Sequence, residues 1–366
     1  MKLLIVVSHL RRGGLVEVVY NLCRRLVNEK GIQLTVLSLR KEPADSRIEM
    51  FRALGIEVLR LNCSYFACEL RSSLVRARVQ QIVNQYQIDV VHCHGYHPAL
   101  VCAGLVGVKK MTTLHDRATE DFINAFGPFL GRYMLNRYFH ALAGFDLNVA
   151  VSESGAELYR QFLDNVDYVN NGIDTEKFGL LADSERKAKR KQLQLPEDMT
   201  MFVTSGRVER EKRCEELVEF FAKKVQNKQV GLLVLGDGSR LESCRQIAKN
   251  CPNIIFTGRI SNVADYLQCA DYYVSYSKSE GMSMAVCEAI ACGLFPVLSE
   301  IPSHQDVAKP IGGLLFKRIE DVDVNVNAVL SKRIDKNELH EYINTHFSMV
   351  SMTHGYMNIY RRLCAE

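Results

Sequence analysis

The sequence lacks several features that would set it apart from ordinary globular enzymes. It contains no stretch of 18 apolar residues, so we expect no membrane-spanning helix, and we recognise no signal peptide before the first apolar run. It also contains no internal repeat and no low-complexity tract. The formal net charge is only +4, which is too small to indicate a nucleic-acid partner. Such a charge still allows contact with anionic membranes or phosphorylated substrates.

A disulfide framework is also missing, although the chain has 12 cysteines. Several of them lie inside apolar runs: Cys23, Cys102, Cys269, Cys287 and Cys292. We therefore expect buried, reduced thiols and a cytosolic protein. With 366 residues, of which 47% are hydrophobic and 24% charged, the chain has the size and composition of two globular domains.

Short apolar runs alternate with helical patterns in both halves of the chain. The runs occupy residues 3–7, 34–37, 58–61, 90–91, 111–114 and 147–151, then 201–203, 231–235, 254–256, 272–275 and 295–298. This alternation predicts two α/β domains, each with a mostly parallel sheet. The charged residues 183–191 are expected to form a loop at the junction. We place the domains at residues 1–178 and 179–345, followed by a closing helix at 346–366.

The strongest pattern lies between Ser275 and Gly293, where a polar turn separates a strand from a helix that begins near Ser283. Glu280 precedes this helix, and Glu288 lies one turn inside it. The helix N-terminus favours an anion. An elongated ligand would place a sugar at Glu280, a ribose at Glu288 and a diphosphate over the amides of Gly281, Met282, Ser283 and Met284. Alternatively, both glutamates are ordinary charges of a helix.

Three further loops follow predicted strands of the same domain. The first contains Arg207 and Lys212, two cations that would balance a diphosphate at the carboxyl edge of a parallel sheet. The second contains Gly236 and the third Ile260, where backbone atoms would meet a flat base. A glycine at a strand end also simply makes a turn, and an isolated arginine is often a surface ion-pair residue.

The order of these motifs resembles the retaining glycosyltransferases of family 4, which have the GT-B fold. The matching patterns are Gly-Arg-x4-Lys, Gly-Asp-Gly, Phe-x-Gly and Glu-Gly-x6-Glu-Ala-x-Ala-x-Gly, and they occur in this order. In the first half, Gly13-Gly14, residues 91–94, Leu114-His115-Asp116, residues 149–152 and residues 171–178 also match. The resemblance covers nearly the whole chain. It implies two Rossmann-like domains that face each other across a cleft, with a C-terminal helix that crosses back to the first domain.

The resemblance also implies roles for individual residues. Arg207 and Lys212 would hold the donor diphosphate, Glu280 would bind sugar hydroxyls, and Glu288 would bind the ribose. Gly14 would bring backbone amides to the reaction centre, and His115 would face the donor sugar. One departure is Gly281-Met282-Ser283, where related sequences often have Gly-Phe-Gly. We expect Ser283 still to cap the helix.

The N-terminal half leaves several interpretations open. Gly13-Gly14 is either a ligand contact or a tight turn, and it is not the Gly-x-Gly-x-x-Gly of a dinucleotide-binding fold. Arg11 and Arg12 would face a lipid diphosphate or an anionic bilayer, or else they are ordinary surface charges. His94 and His97 line the acceptor side or satisfy loop carbonyls. His92, Cys93 and His94 lack the spacing of a zinc site, and we expect no bound metal.

Together these expectations describe a retaining, metal-independent hexosyltransferase. The donor would be a nucleotide-sugar, with UDP as the expected nucleotide, and no cofactor is needed. The acceptor would be a glycan or a polyprenyl-diphosphate-linked sugar in bacterial surface polysaccharide synthesis, reached from the cytoplasm with weak contact to an anionic membrane. A nucleotide-sugar epimerase of the same fold is the alternative enzyme. A binding protein that has lost catalysis is disfavoured, because Arg207, Lys212, Glu280 and Glu288 are all present.

Overall fold

The structure is a computed structural model that describes residues 1–115, 118–225, 229–322 and 335–365. The chain forms two compact units, one made of Met1–Gly172 with Met349–Glu366 and one made of Ile173–Ser348. These limits differ by a few residues from those expected from the sequence, 178 and 345. The reason is local: the Ile173 amide donates to the Phe347 carbonyl at 2.8 Å, and Ile173 forms a parallel bridge with Ser348. The chain therefore leaves and re-enters the first unit at one point.

The first unit contains a seven-stranded parallel sheet with strand order β3-β2-β1-β4-β5-β6-β7. Its strands are β1 (Lys2–Val7), β2 (Gln33–Arg40), β3 (Glu57–Cys63), β4 (Val90–His94), β5 (Lys109–Leu114), β6 (Leu147–Ala150) and β7 (Val166–Tyr168). In the central strand β1, five consecutive Leu, Ile and Val residues are fully buried, as expected for a strand covered on both faces of its sheet. The short strand β7 was not expected from the sequence.

Helices connect these strands in the alternation that the sequence predicts. They are α1 (Gly14–Leu26), α2 (Ile48–Ala53), α3 (Tyr65–Leu70), α4 (Ser72–Tyr86), α5 (Tyr96–Cys102), α6 (Ala118–Leu142) and α7 (Glu153–Arg160). Helix α6 is interrupted at Gly127, whose φ of 77° is not helical, and Pro128 follows it. A proline cannot donate the backbone hydrogen bond that a continuous helix requires, so the break falls there.

The second unit contains a six-stranded parallel sheet with order β10-β9-β8-β11-β12-β13. Its strands are β8 (Thr200–Ser205), β9 (Val230–Leu235), β10 (Ile254–Gly258), β11 (Tyr272–Ser275), β12 (Phe295–Ser299) and β13 (Leu314–Phe316). Its helices are α8 (Asp183–Gln192), α9 (Cys214–Lys224), α10 (Leu241–Ile247), α11 (Val263–Cys269), α12 (Met284–Ala291), α13 (Pro302–Ala308) and α14 (Lys336–His346). Both units are therefore parallel α/β domains, which confirms the predicted fold class.

The expectation of a loop at residues 183–191 is wrong, because these residues form helix α8. The sequence pattern was misleading since the helix is almost entirely charged. Its order comes from Arg190, which is buried and donates to the carbonyls of Cys269, Glu197 and Met199 and to the Asp271 carboxylate. Arg186 also pairs with Asp271, and Lys189 pairs with Asp265, so polar contacts replace the apolar stripe by which a helix is usually recognised.

The chain ends in helix α15 (Met349–Ala365), which belongs to the first unit and packs against α1 and β4. Two tyrosines of α15 make buried polar contacts with the sheet. Tyr360 Oη lies 2.7 Å from His92 Nδ1, and Tyr356 Oη lies 2.8 Å from Thr113 Oγ1. His92 Nε2 lies 2.7 Å from the same Thr113 hydroxyl, so one buried hydrogen-bond network joins α15 to β4 and β5. The prediction of a closing helix that returns to the first domain is confirmed.

Candidate functional site

The second sheet has one place where the strand order reverses, between its neighbours β8 and β11. Connections leave these two strands in opposite directions, which opens a crevice at their carboxyl ends where ligands of α/β proteins usually bind. The loop after β8 carries Arg207 and Lys212, and the loop after β11 carries Glu280. The sheet topology therefore brings together residues that the sequence predicted for donor binding, although Glu280 lies 68 positions from Lys212.

Lys212 and Glu280 form an ion pair at the bottom of this crevice. The side chain of Glu280 is only 12% exposed and that of Lys212 is 27% exposed. Ser277 Oγ donates a hydrogen bond of 2.7 Å to the same carboxylate oxygen. Burial raises the pKa of Glu280, but the charge of Lys212 and the hydrogen bonds from Lys212 and Ser277 outweigh it and keep the pKa below its ordinary value. Glu280 is thus a carboxylate at neutral pH and a pure hydrogen-bond acceptor.

Arg207 has a different environment from Lys212. It is exposed, and its guanidinium makes no hydrogen bond or ion pair within the described part of the chain. A recess is lined jointly by Arg207, Lys212, Ser275, Ser277, Glu280 and Ser283. An exposed arginine without a directly bound carboxylate and a lysine paired with Glu280 therefore border the same recess, an arrangement that suits an anionic ligand.

The glycines of the neighbouring loops allow this crevice to form. Gly236 follows β9 with a φ of +149°, and a Cβ atom there would lie 1.8 Å from the carbonyl oxygen of Gly206. Two hydrogen bonds join the loops, from Gly206 N to Leu235 O at 2.9 Å and from Val208 N to Asp237 O at 3.0 Å. The glycine therefore packs the Gly-Asp-Gly loop against the segment that carries Arg207. Ile260 lies two residues beyond β10 and is half-buried, and its predicted contact with a base stays a prediction.

Helix α12 begins at Met284, close to the predicted start, and its first turn points backbone amides toward the loop that carries Glu280. Ser283 occupies the N-cap position, but its side chain makes no capping hydrogen bond, so the expected cap is wrong. Glu288 lies in the second turn and is half-buried. Gly281 and Met282 precede the helix within the loop. The helix N-terminus therefore lies next to the Lys212–Glu280 pair, as the anion-site prediction requires.

A hydrogen-bond chain behind Glu280 was not predicted from the sequence. Ser299 Oγ donates to the Ser277 carbonyl at 2.7 Å, and His304 Nδ1 lies 2.9 Å from the Ser299 carbonyl. His304 is fully buried, and its Nε2 has no hydrogen-bond partner among the described residues. Because Nδ1 faces a carbonyl it carries the proton, which leaves Nε2 as an acceptor. Only the run Ser299-Glu300-Ile301-Pro302-Ser303-His304 after a buried strand hinted at this support.

In the first unit, Gly13 and Gly14 begin helix α1 at the end of the loop that follows β1. Both are exposed, and a Cβ atom at either position would meet no other atom within 4 Å. Arg12 is exposed, while Arg11 forms an ion pair of 3.2 Å with Asp45. The roles predicted for these residues stay predictions.

The predicted histidines of the first unit lie at the ends of two neighbouring strands. His94 ends β4, His115 follows β5, and His94 Nδ1 lies 2.8 Å from His115 Nε2. His97, on α5, is buried with its Nε2 3.4 Å from Glu69. Burial lowers the pKa of His97 and of His115 to about 4, so both are neutral at physiological pH. Asp116 lies outside the described residues, and the acceptor-side roles of His94 and His97 stay predictions.

The described residues contain neither a cluster of metal ligands nor a membrane-spanning helix. No three His, Cys, Asp or Glu side chains in residues 1–115, 118–225, 229–322 and 335–365 are grouped so that they could hold a metal ion. Within the same residues, every helix is too short or too polar to cross a bilayer.

The fold and the crevice define a class of protein: two parallel α/β domains, the second with a recess bordered by a lysine paired with a glutamate, an exposed arginine and the loop that precedes a helix. Family models agree. Residues 12–177 match Glycosyltransferase Family 4, and residues 185–346 match Glycosyl transferases group 1. The two matches together span most of the chain, and the chain belongs to this glycosyltransferase family.

Curated relatives carry names from the same family. The chain is 28% identical over 231 residues to N-acetyl-alpha-D-glucosaminyl L-malate synthase of Bacillus anthracis, covering 60% of this chain and 58% of that protein. It is 20% identical over 380 residues to the O-antigen biosynthesis glycosyltransferase WclY of Escherichia coli, covering 100% and 99% of the two chains. It is 25% identical over 246 residues to alpha-monoglucosyldiacylglycerol synthase of Streptococcus pneumoniae, covering 61% of this chain and 54% of that protein, so the chain spans little more than half the length of this relative and of the Bacillus one.

Solved structures show the same fold. The Anabaena protein HepE, solved in complex with UDP, superposes with a TM-score of 0.82 at 15% identity over 99% of this chain and 100% of its own. The lipopolysaccharide outer core galactosyltransferase WaaB superposes with a TM-score of 0.75 at 16% identity over 99% and 100%. At these identities the comparisons support the GT-B fold.

Proposed function

We propose that the protein is a retaining, metal-independent glycosyltransferase that moves a sugar from a UDP-sugar to a glycan or a polyprenyl-diphosphate-linked acceptor. One observation carries this proposal: Arg207, Lys212 and Glu280 share one recess beside the N-terminus of α12, where the strand order reverses. Membership of the family and the UDP and UDP-glucose complexes of HepE support UDP as the donor nucleotide.

The environment of each residue suggests how the donor is held. Arg207 offers an exposed guanidinium that no carboxylate binds directly in the described residues, so it can bind the diphosphate with two parallel hydrogen bonds. Lys212 has three N–H donors, so its ammonium can keep Glu280 and still donate to a phosphate oxygen. Glu280, held as a carboxylate, accepts hydrogen bonds from sugar hydroxyls, and Glu288 accepts those of the ribose. The roles that the family resemblance implies for His115 and Gly14 stay predictions.

The chemistry proposed for this site needs no metal, because fixed cations already face the leaving group. The bond between the anomeric carbon and the β-phosphate oxygen breaks, and the diphosphate leaves with the electron pair. The acceptor oxygen then bonds to the anomeric carbon on the same face, and its proton passes to the leaving phosphate oxygen. Arg207, Lys212 and the amides of α12 stabilise the charge where it develops. The anomeric carbon takes on oxocarbenium character, as in glycoside hydrolysis.

The names of relatives support the proposed acceptor class. One E. coli relative, 25% identical over 179 residues, is a galactosyltransferase that acts on N-acetylglucosamine linked to diphosphoundecaprenol. WclY, which aligns with all of this chain, is named for O-antigen biosynthesis. A sugar on a polyprenyl diphosphate would bring the enzyme to the cytoplasmic face of a membrane, where we propose a peripheral contact.

A donor-hydrolysis screen tests the proposal. The protein is incubated with UDP-, GDP- and ADP-sugars, with and without a lipid-linked acceptor, and with and without excess EDTA. We expect slow hydrolysis of one UDP-sugar, faster release of UDP with the acceptor, an α-linked product and full activity in EDTA. Conversion of the free UDP-sugar into its epimer without acceptor would establish the alternative enzyme. Loss of activity in EDTA that magnesium or manganese restores would contradict metal independence.

A further inference from the structure

Six apolar side chains on three helices of the first unit are more than half exposed. They are Phe66 and Leu70 of α3, Leu74 of α4, and Phe129, Leu130 and Tyr133 of α6, and we call them the aromatic surface. Phe129 is the most exposed of them, at 92%. In the described residues only three other large apolar residues are more than half exposed. A concentration of this kind marks a surface that contacts something other than water.

The three helices present these side chains as one area. Arg137 of α6 pairs with the Glu69 carboxylate of α3 and donates to the Glu69 carbonyl at 2.7 Å. Ser72 of α4 and Tyr133 of α6 line the same shallow cavity. Since Leu70 and Leu74 flank Ser72 in sequence, the start of α4 lies beside the middle of α6. The break at Gly127 sets the direction of the segment that carries Phe129 and Leu130.

The exposed charged side chains that the structure describes around the aromatic surface are mostly basic. Residues 64–86 contain a single acidic residue, Glu69, which is buried and paired, and residues 122–142 contain none. Arg71, Arg78 and Arg132 are exposed and have no carboxylate partner in the described residues. Two acidic residues, Glu120 and Asp121, occur earlier in α6, and their side chains lie outside the described part. The surface therefore combines exposed apolar and aromatic side chains with guanidinium groups that have no carboxylate partner in the described residues.

We propose that the aromatic surface docks the protein on an anionic bilayer. Phenylalanine and leucine side chains insert into the boundary between headgroups and acyl chains, tyrosine lies at the headgroups, and arginine attracts anionic lipids. The proposal rests on the proposed function, because a polyprenyl-linked acceptor requires the enzyme to work at a membrane. It places the contact on α3, α4 and α6 instead of on Arg11 and Arg12, since Asp45 already pairs with Arg11.

The absence of tryptophan from the chain allows a direct test. Phe129→Trp places a single tryptophan in the aromatic surface, and Val350→Trp places one on α15, which contacts β4 through His92. Helices α4, α5 and α6 pack against Cys93, the residue after His92 in β4. Consecutive residues of a strand point to opposite faces of the sheet, so these helices and α15 cover opposite faces. Val350 is 55% exposed, so the two positions compare exposed sites on opposite faces of one unit.

Each variant is mixed with vesicles of phosphatidylcholine or of phosphatidylglycerol with phosphatidylcholine, with brominated acyl chains as quenchers. For the tryptophan at position 129 we expect blue-shifted, quenched emission on anionic vesicles only, and high salt should reverse both changes. The tryptophan at position 350 should show neither change on either kind of vesicle. In sedimentation with the same vesicles, Phe129→Ser with Leu130→Ser should lower the bound fraction of protein about tenfold. Arg11→Glu with Arg12→Glu should change it little.

Equal quenching at both positions, or none at position 129 on anionic vesicles, would overturn the proposal. A dimer in lipid-free solution that Phe129→Ser with Leu130→Ser dissociates would assign the surface to a second copy of the chain instead. UDP-sugar hydrolysis without vesicles separates the two proposals. Hydrolysis without membrane binding would refute the docking surface alone, and the absence of hydrolysis would refute the proposed function.

Discussion

The two glutamates of the second unit have different surroundings and therefore should have different roles. Glu280 is almost buried, is paired with Lys212 and is held by Ser277, while Glu288 lies half-buried on α12. In the proposed function, Glu280 contacts the sugar ring where charge develops, and Glu288 contacts a ribose that changes little during the reaction. Their substitution should therefore affect different kinetic constants.

We predict that Glu288→Ala raises the KM for the donor, by about tenfold, and changes kcat little. Glu280→Ala should lower kcat by on the order of a hundredfold, because it removes a contact that strengthens in the transition state. Steady-state kinetics with the UDP-sugar identified by the hydrolysis screen gives both constants. If both substitutions change only KM, this division of roles is wrong.

Arg190 allows a prediction about stability that is independent of function. Its side chain is only 5% exposed and contacts Asp271 and several carbonyl groups. Arg190→Met should lower the free energy of unfolding of the second unit by about 3–5 kcal/mol, because it leaves buried acceptors without donors. The exposed neighbour Lys191→Met is the matched control and should change it by less than about 0.5 kcal/mol. Urea denaturation measures both, and equal effects would contradict the structural role of Arg190.

The sequence predicted which residues lie in the crevice, but not which of their side chains pair with each other. Arg207, Lys212 and Glu280 were predicted because each follows a strand of one parallel sheet. Glu280 pairs with Lys212 and not with Arg207. This choice depends on the conformations of the loops, which the spacing of residues in the sequence does not determine. The support from His304 was not predicted, since a histidine after a strand has many possible environments.

The loops after β8 and β9 act as one element, because Gly236 packs directly on Gly206. Gly236→Ala should displace the loop that carries Arg207 and weaken UDP binding at least tenfold. Gly258→Ala is the matched control, since Gly258 also has a positive φ, of +65°, but its added Cβ would meet no atom within 4 Å. Calorimetric titration with UDP compares the two variants. Equal affinities in the two variants would show that the close packing is irrelevant to the site.

The buried histidines of β4, of α5 and after β5 allow a prediction of how the stability of the first unit changes with pH. Burial lowers the pKa of His92 to about 3 and the pKa values of His97 and His115 to about 4. The unfolded chain, with histidine pKa values near ~6.5, binds more protons below that pH. The stability from these groups is therefore complete above about pH 6.5 and is lost as the pH falls toward 4, by about 2 kcal/mol per imidazole between pH 6.5 and 5.

Urea denaturation at pH 7.5 and pH 5 measures this loss of unfolding free energy. His92→Gln should reduce the loss, because one depressed group is removed. The exposed His354 has no such environment, and His354→Gln should leave the pH dependence as in the unchanged protein. A loss that is the same in all three proteins would show that His92 does not titrate between the folded and unfolded states as described.

Eleven strands were predicted because each contains a short run of apolar residues. Strands β7 and β13 have three residues each and contain too few apolar positions to form a recognisable run. Helix α8 was mistaken for a loop because a charged sequence without an apolar stripe has no visible helical period. Its order comes from Arg190 and Asp271, a contact 81 residues apart.

At the scale of the whole molecule, the predicted donor site other than Gly13, Gly14 and His115 lies within one compact unit. Arg207, Lys212, Glu280 and α12 all belong to Ile173–Ser348, so nucleoside diphosphate binding should depend on this unit. The residues predicted for the acceptor side, and the aromatic surface, belong to the other unit. In the proposed function, the second unit therefore recognises the donor, and the first unit carries the residues proposed for the acceptor and the membrane.

The affinity for UDP of the unchanged protein and of Arg207→Ala tests the central claim most directly. Arg207 is preferable to Lys212, because Lys212→Ala would also leave Glu280 buried without its cation. Arg210→Ala is the control, an exposed arginine three residues further along the same loop. Calorimetry should show UDP binding to the unchanged protein and to Arg210→Ala, and binding about 10- to 100-fold weaker to Arg207→Ala. Equal UDP affinity of Arg207→Ala and the unchanged protein would contradict the account.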